Sequence, residues 1–505
     1  MSALHKDAAI AVIGAGAMGA GIAQVAAQAG HPVALFDTRE GAAAQAIAGI
    51  ARQLGKRVDA GKLDAAERDA VIARLTPAER LEDLAGSALV IEAIVENLAI
   101  KRELFAKLEA ICGADCILAS NTSSLSITSL AATLQRPERV AGLHFFNPAP
   151  VMALVEIVAG LASDKAVVDC LYATAKAWGK KPVHTKSTPG FIVNRVARPF
   201  YAESLRLLQE GAGDCASLDA LLRDAGGFRM GAFELTDLIG HDVNYAVTCS
   251  VFDAYYGDFR FQPSLIQKEL VDAGRFGRKS GRGFYDYAEG AERPAAQSLP
   301  AAAKPDCVVV EGDLGPASAL IERIEAAGIE IVRRDGTGLI RVGEAVLALS
   351  DGRMAAERAR DEGLRNLALF DLALDYAKAS RLAVAFAAGC DQAARDAVAG
   401  LLQAAGIVVT EVTDSPALVV LRTVAMLANE AADAVLQGVG TAADIDLAMC
   451  AGVNYPKGPL AWADAIGVGT VLTALDHLQR SYGEDRYRPS LLLRRLHCAG
   501  ERFHD

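Results

Sequence analysis

The apolar run Ile10–Ile13 ends in Gly14-Ala15-Gly16-Ala17-Met18-Gly19, and an amphipathic stretch, Ala17–Ala29, follows at once. No other feature narrows the fold as much. A short strand that feeds a glycine turn and then a helix is the opening of a βαβ unit. The three glycines differ in what they permit. Gly14 allows the tight turn, Gly16 lets the backbone approach a pyrophosphate, and Gly19 lets helix pack on strand. The start of the helix, with the amides of Ala17 and Met18, attracts phosphate charge. Asp37 ends the next apolar run, 18 residues after Gly19. A carboxylate there can accept hydrogen bonds from both ribose hydroxyls and repels a 2′-phosphate. The pattern predicts dinucleotide binding, NAD rather than NADP, with Arg39 as the nearby cation that speaks the other way.

The first 187 residues continue the alternation of short apolar runs (Val33–Phe36, Ala88–Ile94, Cys116–Ala119, Val140–Leu143) with amphipathic stretches such as Leu98–Ala110. That predicts a parallel sheet covered by helices. Near Thr188-Pro189-Gly190 the pattern becomes helical and stays so to about residue 288, apart from the glycine-rich, charged stretch Gly274–Gly283, which reads as an ordered loop. Residues 289–304, rich in Ala, Pro and Glu, read as a linker. Strand-like runs return over 305–412 (Cys307–Val310, Glu330–Val332, Ala345–Leu349, Leu382–Phe386, Ile407–Thr410), and a helical tail fills 413–505.

The tail repeats the first helical region. A shift of 227 residues takes Pro189 to Pro416, Arg195 to Arg422, Glu203 to Glu430, Asp219 to Asp446 and Asp237 to Asp464 without a gap. A repeat of this size implies a duplicated module. The predicted architecture is therefore an α/β Rossmann-type domain followed by an all-α domain, then a degenerate Rossmann-like segment and a second copy of the helical domain.

Chemistry concentrates in three further places. His144 sits where the run Val140–Leu143 ends, at the carboxyl edge of a predicted strand, where open α/β sheets bind ligands. Oxidising an alcohol needs a base for the hydroxyl proton, and an imidazole, with an unperturbed pKa near 6.5, suits that role. Glu156 stands inside the apolar run Leu154–Val158, where an unpaired charge is costly, so it calls for a partner; a carboxylate on the other ring nitrogen would fix the tautomer. His144 alone reads first as a satisfied core histidine; with Glu156 and the dinucleotide fold beside it, the catalytic reading takes precedence. His184 reads as a structural residue on a strand. In Ser120-Asn121-Thr122-Ser123-Ser124 the hydroxyls at a strand end can bond a substrate oxygen or cap a helix. Asn194, in Gly190–Arg195, is a polar residue at an apolar helix start; it could reach into a cleft between domains or be a buried structural Asn.

Together these residues resemble the 3-hydroxyacyl-CoA dehydrogenase family. The matching pieces are VIGAGAMGAGIA (12–23), LFD (35–37), EAIVENLAIK (92–101), SNTSSL (120–125), HFFNPAPVMALVEI (144–157), TPGFIVNR (188–195) and GRKSGRGFYDY (277–287). The resemblance implies His144 as catalytic base and Glu156 as its partner. Ser123 and Asn194 would position the 3-oxygen and the thioester carbonyl. Asp37 would hold the adenosine ribose, and Glu96, Lys101 and Asn147 would line the nicotinamide side. In the family CoA lies over the helix pair after the second strand, which points to Lys56 and Arg57 for its phosphates; otherwise they form a solvated helix face. The length resembles a bacterial branch of ~500 residues acting on 3-hydroxyadipyl-CoA, in phenylacetate breakdown, or 3-hydroxybutyryl-CoA. A 3-hydroxyadipyl tail would need a cation for its distal carboxylate, and Arg198, Arg229 and Arg275 are the possible donors. The family's helical module pairs two-fold between subunits, so the second copy could give a pseudo-dimer within one chain, or the chain a homodimer. Under the 227 shift His144 falls on Asp371, Glu156 on Ala383 and Asn194 on Leu421, so the second copy should be non-catalytic. The nearest thing to a second glycine fingerprint is Gly336-Thr-Gly338, with Arg341 where the third Gly should be.

Composition removes other classes. The net charge of −11 argues against a nucleic-acid partner. No segment offers ~18 uninterrupted apolar residues, so no membrane span is expected. Nine scattered cysteines predict neither a disulfide framework nor a metal site, and reduced thiols fit the cytoplasm. Two other functions fit part of the pattern: a dehydrogenase of a non-CoA hydroxy acid, and a non-catalytic NAD-binding structural protein.

Overall fold

The computed structural model describes residues 2–504. The chain forms two compact units. The first runs to Arg195 and takes in Gln437–Val453; the second holds Val196–Leu436 and the remainder from Asn454.

The first unit is built on an eight-stranded sheet: β1 Ile10–Ile13, β2 Val33–Phe36, β3 Leu75–Pro77, β4 Leu89–Glu92, β5 Ile117–Ser120, β6 Val140–Phe145, β7 Leu154–Ala159 and β8 Lys181–Lys186. Their order is β3-β2-β1-β4-β5-β6-β7-β8. The strands from β3 to β6 are parallel; β7 runs antiparallel to β6, and β8 runs parallel to β7. Helices cover both faces, so each strand is apolar on both. Ile10 and Val12 enter one core and Ala11 and Ile13 the other, as the two-residue period of a strand requires. Strand order reverses at β1 and β4, which opens a crevice beyond their carboxyl ends.

The second unit carries a seven-stranded sheet: β9 Cys307–Glu311, β10 Glu330–Arg334, β11 Leu339–Val342, β12 Ala345–Leu349, β13 Leu367–Phe370, β14 Arg381–Phe386 and β15 Val408–Glu411, in the order β10-β9-β11-β12-β13-β14-β15. It is the reduced copy. β11 and β13 are absent from the strand runs that the apolar pattern predicts. β11 turns back on β12 through Gly343-Glu344, with Gly343 at φ +55°. Gly336 and Gly338 lie between strands β10 and β11, not between strand and helix, so they build no phosphate-binding turn. The stretch 289–304 carries no helix or strand, yet it is tied down. Leu299 donates its N–H to the Val409 carbonyl at 2.8 Å, and Gln297 donates to Ser217 Oγ at 2.8 Å. It thereby satisfies groups on the edge strand β15 that would otherwise lack partners.

The duplicated helical modules pack on one another in this unit. Helix Arg198–Gln209 lies along helix Val420–Leu436. Arg422 Nε bonds Glu203 at 2.8 Å, and Arg260 Nη1 bonds Glu430 at 3.1 Å, all four side chains being buried. Glu203 and Glu430 are counterparts in the repeat. Burial disfavours the charge on Glu203, but Arg422 and Arg486, the latter the counterpart of Arg260, hold its carboxyl below the usual range. Arg260 at Glu430 and Arg486 acting on Glu203 are thus related by the repeat, the self-complementary pattern of a two-fold interface, and Arg422 adds a further cation at Glu203. The second helices of the modules show the same relation. Cys215–Asp224 packs on β14 in the second unit, and its counterpart Ala442–Val453 packs on β7 and β8 in the first. There a Cβ on Gly452 would meet Leu154 Cδ2 at 2.5 Å. Among the described residues no helix is long and apolar enough to cross a membrane.

Candidate active site

The glycine turn lies at the strand-order switch. Gly14 has φ +102°, and a Cβ there would meet the Ala93 carbonyl oxygen at 2.5 Å; a Cβ on Gly19 would strike the Gly14 carbonyl at 1.7 Å. Gly16 differs: a Cβ there meets nothing within 4 Å, so the absent side chain leaves open space above the turn. Helix Ala17–Gln28 has no side-chain cap, and Gly16 and Ala17 are exposed, so the first amides face that space without a partner side chain. Met18 is half-buried and packs against the core. Asp37 follows β2, where its Oδ2 accepts the Ala15 N–H at 2.8 Å and its Oδ1 accepts from Arg39 N at 2.9 Å and Arg39 Nε at 3.2 Å. Burial works against its charge, but these donors prevail and lower its pKa. Arg39 is therefore engaged with Asp37. A dinucleotide fits this set: space where a pyrophosphate belongs, uncapped amides, and an ionised carboxylate at the end of the second strand.

Antiparallel register brings the histidine to its partner. β6 and β7 pair His144 directly with Glu156, so the two side chains leave the same face of the sheet. His144 Nδ1 lies 2.6 Å from Glu156 Oε2. The other carboxylate oxygen accepts the amides of Ile192 and Val193, each at 3.0 Å. Glu156 is wholly buried and His144 is 6% exposed. All of Glu156's charge is thus spent on one ring nitrogen and two amides, which assigns the proton to Nδ1 and leaves the Nε2 lone pair available. Phe146 and Phe191 flank the ring, at 4.5 and 5.9 Å between centroids. His184 is apart, stacked on Tyr172 at 4.4 Å within strand β8.

The hydroxyl turn after β5 is organised by acids. Glu96 Oε1 accepts from Thr122 Oγ1 at 2.5 Å, Ser123 N at 3.0 Å and Ser124 Oγ at 3.0 Å, while Oε2 meets Lys101 Nζ at 2.9 Å. Burial opposes the charge on Glu96, and Lys101 and Thr122 more than offset it, so its pKa is lowered. Ser123 is held through its backbone, which keeps its hydroxyl out of this network. Asn194 Nδ2 donates to the Ser123 carbonyl at 3.4 Å, so these two expected residues do meet. Lys101 is buried between Glu96 and Glu92 Oε1, at 2.8 Å from the latter. Glu92 escapes the sequence analysis as a functional residue, although it carries the signal that marks Glu156: an acid inside an apolar run. It also accepts from Ser120 Oγ at 2.6 Å. Asn121, likewise missed, accepts the Phe145 N–H at 2.8 Å and so fixes the residue beside His144. Asn147 is exposed just past β6, and Lys56 and Arg57 are both exposed in the last turn of helix Ala42–Asp59.

The second copy repeats the frame without the histidine. Asp371 and Ala383 oppose one another where β13 and β14 pair, as His144 and Glu156 do. Asp371 Oδ2 accepts from Val419 N at 2.9 Å and Val420 N at 2.6 Å, and Oδ1 from Leu421 N at 3.0 Å. The turns they cap match: φ is +77° and +48° at Gly190 and Phe191, and +59° and +52° at Ala417 and Leu418.

A histidine with a free Nε2, held by a buried carboxylate at the carboxyl edge of a dinucleotide fold, is the equipment of an NAD-dependent oxidoreductase that works on a hydroxyl carbon. Comparison with known proteins narrows that class. The family described as 3-hydroxyacyl-CoA dehydrogenase, NAD binding domain, matches residues 9–188, and its C-terminal domain matches twice, over 190–287 and 418–502. A 3-hydroxybutyryl-CoA dehydrogenase reduced Rossmann-fold domain matches 347–416. The chain is 46% identical to 3-hydroxyadipyl-CoA dehydrogenase of Escherichia coli (strain K12) over 96% of both chains. It is 41% identical to human mitochondrial hydroxyacyl-coenzyme A dehydrogenase over 55% of this chain and 90% of that one. Among solved structures, 3-hydroxybutyryl-CoA dehydrogenase from Escherichia coli K12 superposes with a TM-score of 0.90 at 44% identity, covering 98% of this chain and 99% of that one. The chain belongs to the 3-hydroxyacyl-CoA dehydrogenase family.

Proposed function

We propose that this enzyme oxidises the C3 hydroxyl of an (S)-3-hydroxyacyl-CoA to the 3-oxoacyl-CoA, with NAD as cofactor and 3-hydroxyadipyl-CoA as substrate. The observation that carries the reading is the His144–Glu156 pair, 2.6 Å apart beside the switch point of a dinucleotide fold. Bound NAD supplies the hydride acceptor. The chain's own residues do the rest. His144 Nε2 takes the hydroxyl proton, and Glu156 steadies the imidazolium that forms. The Ser123 hydroxyl and the Asn194 amide position the 3-oxygen and the thioester carbonyl. Gly14, Gly16, Gly19 and the amides of Ala17 and Met18 hold the pyrophosphate, and Asp37 holds the adenosine ribose. Glu96 and Lys101 keep the 122–124 turn in place on the nicotinamide side, with Asn147 nearby in sequence to His144, and Lys56 meets the CoA phosphates. The 3-hydroxyadipyl assignment rests on the 46% relative of equal length; the 3-hydroxybutyryl name of the TM 0.90 structure supports a second substrate.

The domain division we propose is 1–187, 188–288, 289–304, 305–412 and 413–505, with the paired helical modules serving as an internal pseudo-dimer and the second copy as a scaffold. Nine free cysteines fit a reducing compartment, the cytoplasm.

The test is NADH oxidation with acetoacetyl-CoA by the wild type and by His144→Ala. Turnover that falls by about a hundred- to ten-thousand-fold in the variant supports the reading. Wild type that binds NADH but turns over no acyl-CoA refutes it.

A further inference from the structure

The second unit contains a cavity of about 380 Å³ whose wall includes Arg198, Tyr201, Thr248, Ser264 and Gln267. Five charged side chains border it: Arg198, Arg206, Glu210, Glu484 and Arg486. Four of them are compensated. Arg206 Nη2 meets Glu484 at 3.1 Å, Arg486 Nε lies 3.6 Å from the same carboxylate, and Glu210 takes Arg422 at 3.0 Å. Arg198 is the exception. It is 5% exposed, and among the described residues no carboxylate lies within ion-pair distance of it. Its one side-chain hydrogen bond runs from Nη1 to Thr248 Oγ1 at 3.0 Å. Nε is buried without a partner, and so is the hydroxyl of Ser264 on the same cavity.

A buried guanidinium stays charged and is costly unless an anion answers it. Stacking on Tyr201, 4.9 Å from the ring centroid, returns only part of that cost. Burial lowers its pKa from the ordinary guanidinium value, the direction an unanswered cation takes. With Nη1 taken by Thr248, the edge formed by Nε and Nη2 remains, and its two parallel donors match the two oxygens of a carboxylate. A second unpartnered donor, Ser264 Oγ, borders the same space. We propose that this cavity is a carboxylate-binding site with Arg198 as its anchor.

The group such a cavity takes is the carboxylate of a free dicarboxylate, so the proposal does not depend on the reaction proposed above.

The experiment uses the full chain, as wild type and as Arg198→Met, and follows thermal melting during titration with adipate and, in parallel, with hexanamide, which has a similar chain length and no carboxylate. Adipate should raise the melting temperature of the wild type, with an apparent Kd at least about 10-fold weaker in the variant, the weight of a charge-assisted hydrogen bond, and hexanamide should have no effect on either. The readout needs no turnover, so the site and the reaction fail separately. No adipate effect on the wild type, or an equal effect on both proteins, overturns the proposal and leaves Arg198 a structural cation on Tyr201. Should Arg198→Met not fold, Thr248→Val removes the acceptor that orients the guanidinium, and the same readout applies with a smaller loss, about 3- to 10-fold.

Discussion

Glu156→Gln separates two roles that one carboxylate fills. In the native site Oε2 binds His144 Nδ1 at 2.6 Å and Oε1 accepts two amides at 3.0 Å. A glutamine offers one acceptor oxygen and one NH2 group for those two positions. If its oxygen faces His144, the NH2 confronts the amides of Ile192 and Val193, and two buried donors lose their acceptor at about 1–3 kcal/mol each. If its oxygen faces the amides, the NH2 donates to Nδ1 and forces the ring proton onto Nε2. The second arrangement costs less, so it prevails. It leaves His144 in the tautomer that cannot take a proton at Nε2, and the kcat for 3-hydroxyacyl-CoA oxidation should fall by about a thousand- to ten-thousand-fold, the size of the effect when a base is trapped in its wrong tautomer. Stability should fall by only about 1–3 kcal/mol, since bonds to a charged acceptor become bonds to a neutral one. Asp371→Asn is the matched control: Asp371 caps the equivalent turn with three amide bonds and faces no histidine. It should show a similar stability loss with kcat within about twofold of wild type. The assay is NADH formation together with urea denaturation for both variants. A Glu156→Gln enzyme that keeps kcat within about tenfold of wild type would refute the tautomer argument.

Three other perturbations have clear expectations. Gly16→Ala adds a Cβ to open space, so the melting temperature should hold while the NADH Kd rises by about tenfold or more, a shift of ~1.4 kcal/mol; an unchanged Kd would mean the pyrophosphate does not sit over Gly16. Arg260→Met leaves the buried Glu430 and Asp433 carboxylates without this cation and should cost about 3–5 kcal/mol in urea unfolding; a loss below about 1 kcal/mol would show that the reciprocal pairs between the modules carry little. Burial pushes the carboxyl of Asp219 up to about 7 from its usual 3.8, with Tyr285 and the Phe233 amide opposing the shift. Between those values the native state keeps a proton that the unfolded state has released, so this group's contribution to stability declines as pH rises from about 4 to 7 and is gone above that. Asp219→Asn should flatten that part of the stability–pH profile, and a profile as steep as wild type would assign the slope to other groups.

The repeat gives the two copies a common frame and shows which parts of it chemistry requires. The capped turn survives in both, with non-glycine residues held at positive φ at Phe191, Ala417 and Leu418. That conformation is costly for a side chain, so the buried acid beneath it has a structural reason to persist. The histidine has no such reason. Where the histidine is gone, aspartate occupies its strand position and reaches the turn directly, while alanine across the ladder makes room.

Local patterns in the chain determined much of this protein by themselves. A glycine fingerprint after a strand specifies a βα phosphate turn because only glycine tolerates φ +102° at Gly14 or the contact at Gly19. Glu156 announced a partner because a lone carboxylate in an apolar strand is too costly to keep. The 227-residue shift exposed the duplication and the loss of the histidine from the second copy. Tertiary structure decided the rest, because it depends on distances between residues far apart in the chain. Antiparallel register, not spacing, sets His144 opposite Glu156. Lys101, which the family resemblance assigns to the nicotinamide side, lies buried between Glu92 and Glu96, a pairing that only the fold brings together. The strands β11 and β13 have four residues each and become strands only when the reduced sheet supplies neighbours to pair with. Arg198 stood in the sequence as one of three arginines with equal claim. Only packing shows that it is the buried one that lacks a counter-ion, because an ion pair is a property of two chain segments that sequence does not bring together.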